Sequence, residues 1–196
     1  MTSANANVLA DRLTPGRSSM LDVLWVVGFT LLTAALAQIR IQFPGMPVPL
    51  TGQTFSVLLS GAVLGSRRAF SSQALYLSAG AVGLPVFAGG GFSFACLLGP
   101  TGGYLWSFPL AAALMGWLVE RGASRKPWLL AASLIACDAL ILTAGALWLH
   151  LTFGFAYRQA ALLGLYPFLI GDILKVVLVG LTLPRVLNWS GPRGQV

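Results

Sequence analysis

Charged residues are scarce in this sequence. Only 9% of its 196 residues are Asp, Glu, Lys or Arg, where a soluble domain carries about 25%. Hydrophobic types make up 57%, and mean hydropathy is +0.82. Those values exclude an ordinary soluble globular protein and, more firmly, a disordered chain. Histidine occurs once, at His150, and the two cysteines, Cys96 and Cys137, lack CxxC spacing. The sequence therefore offers no metal-ligand cluster and calls for no cofactor. Both cysteines sit among apolar neighbours and read as small packing residues. There is no GxSxG elbow, no HExxH and no Walker P-loop. The run GPTGGY lacks the P-loop lysine and follows no βαβ strand, so this chain alone has no means of hydrolysing ATP. No Asp/Glu ring or repeated filter sequence suggests a channel. The segment from Met1 to Ser19 lacks the cleavage site of a signal peptide. Met20 onward is expected to be a retained first membrane span.

The formal net charge is +7, from 12 basic and 5 acidic residues. The basic residues punctuate apolar runs instead of gathering on one polar stretch, which speaks for orientation in a bilayer and against a nucleic-acid partner. Hydropathy predicts six spans, near residues 20–39, 50–66, 69–87, 103–120, 128–149 and 162–183. Helix is the expected conformation, because backbone polar groups in hydrocarbon must pair internally. WLLAASLIACDALILTAGALWL shows none of the alternation of a β-barrel strand. The expected fold is an all-α integral membrane protein, a six-transmembrane-helix bundle. A tail over 1–19 precedes the membrane domain at 20–186, and a second tail follows at 187–196. With six spans, Arg12, Arg17, Arg67, Arg68, Arg121, Arg125, Lys126, Arg185 and Arg193 fall on one side, and Arg40 and Arg158 on the other. The basic side is cytoplasmic, which places both termini in the cytoplasm and the protein in the cytoplasmic membrane.

The two sets of loops differ in chemistry. The basic ones, GSRRA and ERGASRKP, are short. The outer ones are rich in Gly, Pro and aromatics: IRIQFPGMPVPLTGQT, GLPVFAGGGFSFACLLGPTGGY and HLTFGFAYRQA. Either these only turn the chain at the membrane surface, or they fold inward and roof a small-molecule site. Ionisable groups inside a span are costly and are functional candidates by default. Asp172 and Lys175, three residues apart, fall on one helix face about a turn apart. They form either a self-satisfied ion pair or a polar pocket. Asp138 lies mid-way along the fifth span and serves either packing or proton chemistry. Gln38, Gln53 and Gln73 lie near span ends, and Gln53 leads from an outer loop into a span. His150 is an interfacial histidine.

Four motifs, VPLTGQTFSVLLSGAVLG, QALYLSAGAVGLPVFAGG, GPTGGYLWSFP and PFLIGDILK, resemble the BioY family. Those proteins are the biotin-specific substrate-binding (S) components of energy-coupling factor transporters. The resemblance covers about residues 20–186. It implies six membrane helices, cytoplasmic termini and a biotin site roofed by outer loops. It also implies partners: a transmembrane coupling (T) component and two ATPase subunits, with the S component toppling in the membrane. In this light Asp172 accepts from the ureido N–H groups and Lys175 donates to the ureido carbonyl. Tyr104, Phe92, Phe94 and Trp106 are candidates for the apolar wall. Thr101 and Gln53 are further ligand candidates, and Gly102 and Gly103 are expected to let backbone approach the ligand. No arginine is singled out for the biotin carboxylate. Where a polar residue is expected after LPVF, the sequence reads Ala88-Gly89-Gly90-Gly91. The first helix of S components docks on the T component through small residues. Here that spacing is met by Thr30 with Ala34 and Thr33 with Ala37, with intramolecular packing as the competing role. A different vitamin, or an intramembrane enzyme using Asp138 or His150, remains open at this point.

Overall fold

The computed structural model describes residues 8–13, 19–168 and 171. Helix α1 covers Leu9–Leu13 and α2 Ser19–Gln38. A two-residue strand β1, Arg40–Ile41, pairs with β2, Leu50–Thr51. Then come α3 (Gln53–Leu64), α4 (Ser66–Ala81), α5 (Phe94–Leu98), α6 (Gly102–Glu120), α7 (Pro127–Phe153) and α8 (Tyr157–Gly164). Three of these, α2, α6 and α7, are long and apolar enough to cross a membrane. Their boundaries follow local chemistry. Asp22 sits in the first turn of α2, where its charge suits the helix dipole. Pro127 opens α7, and Gly154 ends it in the left-handed region at φ 70°.

Helix α6 is the hub, packed against α3, α4 and α7. Its close approaches depend on absent side chains. A Cβ on Gly116 would lie 2.6 Å from the Ser66 Cα, and one on Gly61 would lie 2.6 Å from the Met115 Cβ. The expected second and third spans are shorter as helices than as hydropathy runs. With 12 residues, α3 rises only about 18 Å, against a hydrocarbon core of about 30 Å. The chain reaches α3 through β2, and α4 stops at Ala81 instead of continuing to residue 87. Gly83, at φ 111°, and Pro85 end it. Between α3 and α4 a single residue, Gly65 at φ 79°, turns the chain. Glu120 closes that corner by accepting hydrogen bonds from the Ser66 backbone N–H (2.7 Å) and the Ser66 Oγ (2.9 Å). The carboxylate thereby caps the N-terminus of α4, where its charge is favoured.

At the same end of the bundle, part of the expected tail over 1–19 packs into the fold. Residues 8–10 are buried, with Val8 1% and Ala10 0% exposed, and α1 packs on α3. Arg68 ties this helix down. Its Nη2 reaches Asp11 at 2.7 Å, and its Nε reaches Asp22 of α2 at 2.8 Å. At the opposite end, two loops form straps. The first carries the β1–β2 ladder, with Arg40 opposite Thr51 and Ile41 opposite Leu50. The second runs from Val82 to Thr101 through a 3₁₀ turn at Ala88–Gly90 and helix α5. The expected last span, 162–183, lies mostly outside the described residues. So do Asp172, Lys175, Arg185 and Arg193.

Candidate ligand cavity

Between the straps and the bundle lies a cavity of about 230 Å³, room for a compact small molecule. Its apolar wall includes Val48, Phe87, Leu105, Phe108, Leu142 and Phe168, and its hydrogen-bonding groups include Thr51, Gln53 and Thr101. Among the described lining residues, Arg40 is the only charged side chain. The Tyr104 ring also faces the cavity and stands 5.7 Å from the Phe168 ring. Its hydroxyl donates to the Gly164 carbonyl. That bond holds α8 to α6 and leaves the ring, not the hydroxyl, for the cavity.

Hydrogen bonds fix the straps on the bundle. The Gln53 Nε2 donates to the Tyr76 hydroxyl, and its Oε1 accepts from the Thr51 Oγ1 at 2.8 Å. The Tyr76 hydroxyl donates in turn to the Val86 carbonyl at 3.1 Å. This line joins the first strap, α3, α4 and the second strap. Phe87 is 3% exposed and meets Tyr76 edge-on at 5.5 Å. Two indole N–H groups anchor the far side of the second strap: Trp106 on the Leu97 carbonyl and Trp148 on the Gly99 carbonyl, each at 3.0 Å.

Several sequence expectations change here. Phe92, at 56% exposed, and Phe94, at 54%, point outward and are not in the cavity wall. Phe94 packs against the edge of Trp106. Phe87, Phe108 and Phe168 supply the wall instead. The 3₁₀ turn and the reversal at Ser93, φ 89°, throw Phe92 and Phe94 away from the bundle. Gly102 and Gly103 serve close packing of α6. A Cβ on Gly102 would strike the Leu97 carbonyl, and one on Gly103 would strike Trp148. Thr30, Thr33 and Ala37 turn inward, so the structure uses this face within the bundle and not as an outward docking face. Thr30 donates to the Ser72 carbonyl at 2.9 Å, and Thr33 shares a hydrogen bond with the Ser56 Oγ at 2.9 Å. Ala34 is half-buried beside them. The outward side of α2 carries Val23, Leu24, Val27 and Leu31.

The remaining singled-out residues are also placed. Asp138 is 5% exposed on the inward face of α7, beside the buried Cys137 and Ile141. The His150 Nδ1 lies 2.7 Å from the Phe155 carbonyl, and the ring stacks on Tyr157 at 3.8 Å. Asp138 and His150 are twelve residues apart on one helix, about 18 Å along its axis. Cys96 lines the cavity. Among the described residues no group of His, Cys, Asp and Glu is arranged to hold a metal.

A mostly apolar cavity, roofed by straps at one end of an apolar helix bundle and carrying a few fixed polar groups, defines a small-molecule-binding membrane protein. The BioY family profile matches residues 8–191, and the chain belongs to that family. A probable biotin transporter BioY of Pyrococcus horikoshii is 41% identical over 154 residues, covering 79% of this chain and 88% of the relative. The biotin transporter BioY of Thermotoga maritima is 39% identical over 158 residues, covering 81% and 90%. That of Rhodobacter capsulatus is 37% identical over 172 residues, covering 82% and 90%. The crystal structure of an S-component for biotin from an ECF-type ABC transporter superposes with a TM-score of 0.80 over 88% of this chain and 95% of that one. At 22% identity that likeness speaks for the fold.

Proposed function

We propose that this chain captures biotin at the outer face of the cytoplasmic membrane and serves its uptake as the S component of an energy-coupling factor transporter. The observation that carries the reading is the strap-roofed cavity in a chain whose relatives are named biotin transporters. The fused rings and aliphatic tail of biotin call for the apolar wall of Leu105, Phe108, Leu142 and Phe168. The carboxylate calls for a cation at the mouth, and Arg40 is the charged group there among the described residues. Phe168 supports the assignment of the ureido group to Asp172 and Lys175. Those residues follow it by four and seven positions, the spacing of one helix face.

Six membrane helices and cytoplasmic termini complete the proposal. The T component and two ATPase subunits are its partners on family grounds. ATP hydrolysis belongs to those other chains. An enzyme using Asp138 or His150 is disfavoured because neither lines the cavity and the His150 ring is engaged with Phe155 and Tyr157.

Equilibrium binding of biotin to the purified protein tests the reading. Binding at micromolar biotin or below is expected, and none at that concentration sinks it. Preference for another vitamin would keep the S-component role and change the ligand. Asp172→Asn is expected to weaken biotin by more than about tenfold, the scale of one lost charge-assisted bond. Unchanged affinity in a folded variant returns Asp172 to a packing role.

A further inference from the structure

The cation at the cavity mouth is held by backbone. Arg40 lies on β1, where pairing with Thr51 fixes its main chain. Its guanidinium rests against Gly89. A Cβ there would lie 2.6 Å from the Arg40 Cζ and nearer still to Nη1. Gly89 adopts φ 68°, a left-handed conformation that suits glycine. Gln38, at the end of α2, grips the same turn with both ends of its amide. The Nε2 donates to the Phe87 carbonyl at 3.2 Å, and the Oε1 accepts from the Gly90 N–H at 3.0 Å. Beneath, the Phe87 ring is wedged over Gly80. Both ion pairs among the described residues belong to Arg68, so no described carboxylate takes up Arg40.

We propose that the turn from Phe87 to Gly90 is a seat for the Arg40 guanidinium, with Gln38 and Gly89 as positioning residues that set selectivity for a ligand carboxylate. The flatness of Gly89 gives the guanidinium its place, and Gln38 holds the turn at the right height. This inference rests on the biotin reading, and its test separates the two.

The measurement is the ratio of affinities for biotin and for biotinamide, which lacks the negative charge. The unsubstituted protein is expected to prefer biotin by about tenfold or more, as a charge-assisted bond implies. Arg40→Ala should abolish the preference. Gly89→Ala and Gln38→Leu should reduce it severalfold while leaving biotinamide affinity nearly unchanged. A fall in both ligands together, or an unchanged ratio, overturns the seat. Binding of neither ligand by the unsubstituted protein overturns the biotin reading instead. The seat is then decided without ligand, by the rate at which phenylglyoxal modifies Arg40, read by mass spectrometry. Both variants should react faster, and an unchanged rate in Gln38→Leu overturns it.

Discussion

At the scale of single residues, the bundle interior is more polar than the composition suggests. Thr33, Ser56, Ser60 and Gln73 are all buried. The Gln73 Nε2 donates to the Thr33 Oγ1 at 3.2 Å and to the Ser60 Oγ at 3.3 Å. In an apolar medium such bonds join helices that lipid-like side chains would leave indifferent to one another. Thr33→Val is expected to cost about 1 kcal/mol, read as a lower midpoint of thermal unfolding in detergent. Biotin affinity should not change, since Thr33 does not line the cavity. Tyr76→Phe acts differently. It strands the Gln53 Nε2 and the Val86 carbonyl and loosens both straps. About 1–2 kcal/mol of stability should be lost, together with a severalfold faster release of biotin in a chase experiment. The sequence singles out Gln53 because a polar group stands where a loop enters a span, and the structure sets it in the cavity lining. The outward direction of Phe92 and Phe94 is not legible in the sequence, because an irregular loop has no period from which to tell inside from outside.

At the scale of elements, hydropathy located α2, α6 and α7 within a few residues, since twenty or so apolar residues in series leave little choice of structure. It placed α3 and α4 but overran their ends. Gly and Thr in PLTGQT are compatible with hydrocarbon, yet the chain there forms a strand ladder. The hairpin of α3 and α4 depends on Gly65 and Gly116, whose roles come from tertiary contact and leave no periodic trace. Gly116→Ala would press a methyl group on the Ser66 backbone and is expected to cost about 1–3 kcal/mol. Gly28, with nothing near its missing side chain, is the control: Gly28→Ala should hold or raise the unfolding midpoint, since alanine suits a helix interior better than glycine. Equal midpoints for the two variants would count against the close packing of α4 and α6.

At the scale of the molecule, the two ends do different work. One is roofed by nearly uncharged straps, and the other is fastened by Arg68 and Glu120. The charge pattern predicts which end faces which compartment. A single cysteine introduced at Pro44 should react with a membrane-impermeant maleimide in intact cells, in a background lacking Cys96 and Cys137. One introduced at Arg125 should react only after permeabilisation. The reverse result would invert the proposed topology. The proposed orientation rests on counts of Lys and Arg between spans. The partners of those charges leave no such mark in the sequence, because pairing depends on where distant helices meet.

Arg68 has a consequence for how the protein is made. Its partner Asp11 is 57 residues upstream, so their bridge cannot form while only α1 and α2 have been synthesised. Helix α1 is too short to persist alone and is buried where it packs on α3. Helix α1 therefore waits for the α3–α4 hairpin to be threaded before its bridge to Arg68 and its packing on α3 can form. The contacts of Leu9–Leu13 are thus among the later ones open to the growing chain.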